Sequence, residues 1–434
     1  MKAAQSMKDR LIAQSVQRKL KHTERTAQAG QATFGKAGGN RHTDFRQHPG
    51  WQQLNVMREG AQKLGVEDPF FRVHEGCSGA TAVIDGRECI NFASYNYLGL
   101  NGDKRVINAA QQAAADYGIS VSASRMVSGE RPIHSELERA LANVYQADDA
   151  LVFVSGHATN VSVIGYLMGS RDLVLHDEYI HNSSLIGAQL SGARRIAFRH
   201  NDLQQLESLL QQHRHQFDRV LIVVEGLYSM DGDTPDLAGL VALKNRHESW
   251  LMVDEAHALG VLGETGQGSH EHAGVDPSQI DIWMGTCSKT LSGCGGYIAG
   301  CQPLIDMLRH FAPGFLYSVG MPAPIAAAAL ESLRIMNAEP ERVQALQKNS
   351  EYLARQARAA GLNAGHCIGR AVVPVISGSS LAATQQSLKL LEQGINVQPI
   401  LYPAVPEKSA RLRFFISSEH TTEQIDQTLA ALIG

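Results

Sequence analysis

Leu251-Met252-Val253-Asp254-Glu255-Ala256-His257 and, downstream, Asp281-Ile282-Trp283-Met284-Gly285-Thr286-Cys287-Ser288-Lys289-Thr290 are the stretches on which the reading of this chain turns. The first is an apolar run that stops at an acid, with a histidine three residues later. In a parallel sheet this puts Asp254 at the carboxyl end of a strand, the edge at which ligands bind in α/β folds. A carboxylate there can keep a pyridine nitrogen protonated by direct ion pairing, which turns the ring into an electron sink. His257 can then bond the ring's phenolic oxygen. The second stretch is a strand ending in hydroxyls that flank Lys289, followed by the glycine-rich turn Gly293-Cys294-Gly295-Gly296-Tyr297. That combination suits a lysine that forms a Schiff base with a carbonyl cofactor, with Thr286 and Ser288 beside its phosphate. A surface lysine beside a flexible loop is the plainer reading of Lys289 alone. Its place downstream of an acid on a strand end argues against that.

Two further segments fit the same picture. Val152-Phe153-Val154-Ser155-Gly156-His157-Ala158-Thr159-Asn160 offers a strand, a small-residue turn and a helix start, whose backbone amides bind phosphate well. His181, in Tyr179-Ile180-His181-Asn182-Ser183-Ser184, is a candidate aromatic cover for a cofactor ring, although a lone histidine is more often structural. Asp254-Glu255-Ala256-His257 also occurs in helicase ATP sites. A nucleotide-binding alternative has a candidate phosphate loop in Gly30-Gln31-Ala32-Thr33-Phe34-Gly35-Lys36-Ala37, but Ala37 stands where Ser or Thr would bind magnesium, and no apolar strand precedes it. The pairs His213/His215 and His270/His272 lack the two-His helical spacing of zinc peptidases, so no metal site is assigned.

A chain of 434 residues implies one large core with a smaller companion lobe. Hydrophobic residues at 44% and charged residues at 19% describe an ordinary globular protein, and a net charge of -4 argues against general nucleic-acid binding. Small molecules or other proteins are the expected partners. The six cysteines (Cys77, Cys89, Cys287, Cys294, Cys301, Cys367) show no C-x-x-C spacing and no signal peptide is evident, so free thiols in the cytoplasm are expected. No apolar run approaches the roughly 20 residues that cross a bilayer, which limits any membrane contact to a peripheral one at the inner face.

Residues 1–46, rich in Lys, Arg, Gln and His, read as a basic arm, either a loosely docked tail or a holder for an acidic carrier or an anionic membrane surface. Gly76 to Leu100 reads as short strands, with a hairpin turn at Ile84-Asp85-Gly86-Arg87. Pro132 to Tyr145 places Ile133, Leu137, Leu141 and Val144 on one helical face. Apolar runs at Ala150-Val154, Val220-Val224 and Trp250-Val253 alternate with helical stretches such as Leu203-Gln212 and Leu237-Arg246, the pattern of a mainly parallel sheet covered on both faces. Helices over Arg342-Ala360 and Leu381-Leu391, with strands over Val372-Ile376 and Leu412-Ile416, suggest a second α/β lobe. The expected division is 1–75 as arm and lead-in, 76–335 as a large cofactor-binding domain and 336–434 as a small C-terminal domain.

Taken together, these residues resemble the α-oxoamine synthase family of fold type I pyridoxal-phosphate enzymes, from about Phe70 to the C-terminus. The matching elements run from Asn91-Phe92-Ala93-Ser94-Tyr95-Asn96-Tyr97-Leu98-Gly99 through Ser124-Arg125 with Gly129, Ser155-Gly156 and His181. They continue with Glu225-Gly226-Leu227-Tyr228-Ser229-Met230-Asp231-Gly232, Asp254 and His257, Thr286 to Lys289, and Tyr317-Ser318-Val319-Gly320-Met321-Pro322. The resemblance implies an α/β, aminotransferase-like fold: a large domain with a mainly parallel seven-stranded sheet and a smaller α/β C-terminal domain. It implies pyridoxal 5'-phosphate as cofactor, with Lys289 as Schiff base and acid–base group, Asp254 as pyridinium partner, His257 as phenolate partner and His181 as ring stacker. Ser155, Gly156, His157, Ser229, Thr286 and Ser288 would hold the cofactor. Ser318, Val319 and Gly320 would complete the phosphate cup of a neighbouring chain, which implies a homodimer with shared active sites.

Such enzymes join an amino acid to an acyl thioester and lose carbon dioxide. The Tyr95-Asn96-Tyr97 triplet is similar to serine palmitoyltransferases, whereas biotin-pathway and haem-pathway members usually carry Asn-Asp-Tyr there. L-serine is therefore the favoured amino acid, with Tyr95 and Asn96 beside the substrate and an α-amino ketone such as 3-ketodihydrosphingosine as product. The chain is also similar to synthase domains attached to polyketide and fatty-acid carrier proteins, so the donor is acyl-CoA or acyl carrier protein. One departure matters. Leu401 stands where a family arginine commonly binds the substrate carboxylate, leaving Arg413, which matches a second family arginine, for that role. A salt bridge within the small lobe is the plain alternative for Arg413. Alanine or glycine as substrate, an aminotransferase, and a non-catalytic partner subunit stand as rival readings.

Overall fold

The computed structural model describes residues 42–63 and 65–434. The candidate loop Gly30–Ala37 and all of the expected basic arm before residue 42 lie outside the described residues. The chain divides into two compact units, Met1–Glu67 and Asp68–Gly434. In the first, Asp44 caps a short 3-10 turn, Phe45–Gln47, and a helix spans Pro49–Lys63. Pro49 suits its first position, where an N–H would have no intrahelical partner.

The second unit carries fourteen strands. They are β1 (His74–Glu75), β2 (Thr81–Ile84), β3 (Arg87–Asn91), β4 (Asp149–Phe153), β5 (Leu173–Asp177), β6 (Arg194–Phe198) and β7 (Val220–Glu225), then β8 (Trp250–Asp254), β9 (Ile282–Thr286), β10 (Gly296–Gly300), β11 (Val372–Ile376), β12 (Ile395–Asn396), β13 (Gln398–Ile400) and β14 (Arg411–Phe415). The expected hairpin joins β2 to β3. Asp85 and Gly86 take φ of 51° and 73°, the successive left-handed conformations that such a two-residue turn requires.

The seven-stranded sheet has the order β4-β10-β9-β8-β7-β5-β6. All of its pairings are parallel except the two made by β10. Successive residues feed opposite cores: Val152, Ile222, Val253 and Trp283 pack on one face, Leu151, Val223, Met252 and Ile282 on the other. Burial on both faces is why these strands read as continuous apolar runs rather than alternating ones. Each fully buried large apolar side chain contributes about 1.5–3 kcal/mol. Helices Pro132–Val144, Leu203–His213 and Leu237–Arg246 form where the sequence pattern puts them. Because β4, β5, β7, β8 and β9 point the same way, their carboxyl ends at Phe153, Asp177, Glu225, Asp254 and Thr286 share one edge of the sheet.

Two features bear on the expected division. The boundary between 335 and 336 falls inside a helix, Ala323–Ala338. The strands of 81–91, expected in the large domain, belong to the sheet β1-β2-β3-β12, in which β3 pairs in parallel with β12 from near the C-terminus. Local sequence pattern does not encode a pairing between residues three hundred positions apart. The remaining sheet, β11-β14-β13, is antiparallel. All six cysteines are free thiols. Among the described residues, no helix is long and apolar enough to cross a membrane.

Candidate active site

A cavity of about 370 Å³ opens at the shared strand edge, lined from β7 by Glu225, from β8 by Asp254 and from β9 by Thr286. The residues just past these ends, His257, Ser288 and Lys289, also line it. Ser155, Gly156 and His157 enter from the start of a helix, Gly156–Leu167, and His181 from the start of another, Asn182–Leu190. Tyr95, Ser229 and Arg413 complete the wall. Among the described residues, no cluster of His, Cys, Asp and Glu is arranged to hold a metal ion.

Asp254 is firmly held. Its Oδ1 accepts from Ala256 N and its Oδ2 from Asn160 Nδ2, each at 3.0 Å. Asn160 Nδ2 also donates to Ser183 Oγ at 3.0 Å, and Ser183 Oγ lies 2.6 Å from His181 Nδ1. Ser183 N also donates to His181 Nδ1, at 3.3 Å, so this nitrogen accepts from the serine hydroxyl as well and the ring carries its proton on Nε2. Burial lowers the His181 pKa, opposed by Asp254, so the ring is neutral. A chain of hydrogen bonds thus connects the strand-end acid to the ring expected to cover the cofactor.

Lys289 Nζ sits 5.5 Å from the centre of the Tyr95 ring. Burial pushes its pKa down to about 8 against the pull chiefly of Asp254, which brings the nucleophilic free amine within reach at neutral pH. His257 Nδ1 is 2.8 Å from the Tyr97 hydroxyl. Burial, reinforced by Lys289, drops the His257 pKa well below its usual value and leaves a neutral imidazole with one nitrogen committed to Tyr97.

The helix beginning at Gly156 supplies an anion cup. Ser155 Oγ caps Ala158 N at 3.0 Å, so the earlier first-turn amides of Gly156 and His157 are left for a ligand. A Cβ on Gly296 would lie 2.7 Å from Gly156 Cα, so only glycine lets β10 approach this turn. Thr286 Oγ1 donates to Gly295 O at 2.7 Å and accepts from Ser288 N at 3.1 Å, which makes Thr286 a brace for the glycine turn.

Arg413 stacks on Phe415, with Cζ 4.3 Å from the ring centre. Its Nη1 donates to Ser229 O at 3.1 Å, and its buried Nε has no partner. No carboxylate lies within ion-pair distance of it among the described residues, so the plain salt-bridge alternative falls away; Arg411, two residues earlier, does pair, with Asp231.

Asn96 does not line the cavity of this chain: its Nδ2 donates to Ser78 O and its Oδ1 accepts from Asn101 N, which holds its own loop. Leu401 is absent from the wall, and Ser318, Val319 and Gly320, expected at the cup of a neighbouring chain, lie outside this chain's own cavity. Sequence reasoning gave no role to Asn160, Ser183 or Glu225. Asn160 lies one helical turn beyond Gly156, on the same face, and that spacing was the available signal.

These residues suit pyridoxal phosphate: an amide-lined cup for its phosphate, a strand-end carboxylate for its pyridine nitrogen, and a buried lysine for its aldehyde. The chemistry this geometry serves is that of the fold type I pyridoxal-phosphate enzymes. The family described as aminotransferase class I and II matches residues 87–432. A putative 8-amino-7-oxononanoate synthase of Rippkaea orientalis is 41% identical over 82% of this chain and 91% of its own length. A serine palmitoyltransferase solved with its pyridoxal phosphate internal aldimine superposes with a TM-score of 0.85 at 31% identity, covering 90% of this chain and 98% of that one. An 8-amino-7-oxononanoate synthase of Francisella tularensis superposes with a TM-score of 0.70 at 25% identity, covering 80% and 97%. The chain belongs to the aminotransferase class I and II family, in its α-oxoamine synthase branch, and pyridoxal phosphate is its cofactor.

Proposed function

We propose that this enzyme condenses L-serine with a long-chain acyl thioester, of coenzyme A or of acyl carrier protein, releasing the thiol and carbon dioxide and giving an α-amino ketone. The observation that carries the reading is Arg413: a part-buried guanidinium at the cavity wall, its Nε buried without a partner and with no carboxylate in ion-pair range among the described residues, beside Tyr95 and Lys289. A charged group so placed calls for an anionic ligand, and the carboxylate of an amino acid fits it. Bound pyridoxal phosphate supplies the electron sink that lets the amino acid lose its Cα proton and, after condensation, its carboxyl group. Lys289, with its lowered pKa, takes the Cα proton and later returns one. Asp254 keeps the negative charge of the site fixed under two donors. His181 and His257, both neutral, cover the cavity and exclude water without adding charge. Gly156, His157 and Ser288 bind the phosphate, and Ser229 lines the remaining wall.

Tyr95 at the head of the triplet favours serine over the other amino acids of the branch. Tyr317 and Val319, 87% and 47% exposed on either side of Ser318, are apolar surface for a second copy of the chain to cover, which supports a homodimer with shared sites. The 36–41% identity to 8-amino-7-oxononanoate synthases favours a second reading, in which alanine or glycine is used in another pathway.

An absorbance titration of the holoenzyme with L-serine, L-alanine and glycine, each with and without palmitoyl thioesters of coenzyme A and carrier protein, separates these readings. A serine-selective shift with thioester-dependent release of carbon dioxide is expected. A shift and turnover with alanine or glycine instead would replace serine by that amino acid.

A further inference from the structure

Glu225 closes β7 in direct register with Asp254 at the end of β8, and both line the cavity. Their surroundings treat the two carboxyls unequally. Asp254 has a donor on each oxygen. Glu225 Oε2 accepts from Ser229 N at 3.0 Å; the His181 backbone N–H also approaches the carboxyl, but the buried Oε1 has no partner in full hydrogen-bond geometry. A buried carboxylate that lacks a donor on one oxygen and faces a second carboxylate carries two penalties, and a single proton removes both.

We propose that Glu225 is held protonated and serves as a neutral hydrogen-bond donor at the site, leaving Asp254 as its only charged carboxylate. The inference rests on the pyridoxal phosphate reading and not on the choice of amino acid or thioester. The charged and titratable groups around Glu225 are Asp254 from β8, Lys289 beyond β9, Arg413 from β14, His181 from its helix start and Tyr228 from the following loop. The Ser229 and His181 backbone N–H groups, Lys289 and Arg413 favour the anion. Burial, seconded by Asp254, outweighs them and pushes the Glu225 pKa to about 8. The folded value lies above the unfolded one of 4.5, so the contribution of Glu225 to stability is fully present below pH 4.5 and is lost as pH rises through 8.

The test compares wild type with Glu225→Gln, which keeps a neutral donor, and Glu225→Leu, which keeps none. Melting of the cofactor-free full chain between pH 5 and pH 8 should show a loss of Tm in wild type that both variants escape. Pyridoxal phosphate should bind Glu225→Gln about as tightly as wild type, and Glu225→Leu about tenfold or more weakly, the effect of one hydrogen bond to a charged partner. Equal weakening in Gln and Leu, or melting curves of wild type and Gln that move in parallel with pH, would overturn the proposal. Should Glu225→Gln not fold, carbon NMR of wild type labelled at its glutamate carboxyls decides the matter: one resonance must titrate above pH 7, and its absence refutes the assignment.

Discussion

Asp254→Asn changes one atom of the site and removes its fixed charge. The side-chain oxygen can still accept from Ala256 N, but the new amide NH2 then meets Asn160 Nδ2 at the 3.0 Å now spanned by a hydrogen bond, donor against donor. One charge-assisted hydrogen bond lost to the protein, and one lost to the pyridine nitrogen, are worth about 1.5–3 kcal/mol each. The loss at the pyridine lowers cofactor affinity by about 10- to 150-fold, at 1.4 kcal/mol per factor of ten. Turnover suffers more, because a pyridine no longer held as its cation withdraws electrons poorly. Taking about 4 kcal/mol for a charge pair near 4 Å at an effective dielectric of 20, the rate falls by roughly a thousandfold. The Lys289 pKa also drops further, since Asp254 is the strongest influence holding it up. Absorbance titration of the cofactor gives the affinity, and thioester-dependent thiol release at saturating cofactor gives the rate. Turnover within tenfold of wild type at full occupancy would refute the placing of Asp254 beneath the pyridine nitrogen.

Arg413→Gln should raise KM for the amino acid by about tenfold or more while leaving the melting temperature nearly unchanged, because its protein contacts are few and uncharged: Ser229 O, Met230 Sδ, Tyr95 and the Phe415 ring. A fall in Tm with KM unaltered would make the residue structural. Gly296→Ala would force a Cβ to 2.7 Å from Gly156 Cα, an overpacking cost of about 1–3 kcal/mol that also spoils the anion cup; thermal melting and a pyridoxal phosphate titration should both register it. His200 binds Asp177 at 3.0 Å and Asp233 at 2.8 Å; burial opposes its charge, but these two bonds prevail and lift its pKa to about 10. Its contribution is fully present below pH 6.5 and is lost as pH rises through 10, so the Tm gap between wild type and His200→Asn should be widest below 6.5 and close toward pH 10. A gap independent of pH would show that the imidazolium is not what binds the two aspartates.

The chemistry of this protein was legible in the chain wherever it depends on a residue at the end of a strand. Apolar runs buried on both faces stand out from the sequence, and a strand's last residue necessarily lies at the sheet edge, so Asp254, Thr286 and Lys289 could be placed from their local context alone. Pro132–Val144 and the Asp85-Gly86 turn were readable for the same reason: the forces that form them act between near neighbours. Other features come from parts of the chain far apart in sequence. Asn160 and Ser183 become partners only when two helices pack, β3 meets β12 only when the C-terminal segment folds back, and Asn96 meets Ser78 only when the strands between them pair. Glu225 illustrates the divide most sharply. Its sequence neighbours supply one donor, Ser229 N, but the protonation state of a carboxyl is also set by burial and by the nearest charges, and the fold brings Asp254, Lys289 and Arg413 to Glu225 from distant parts of the chain.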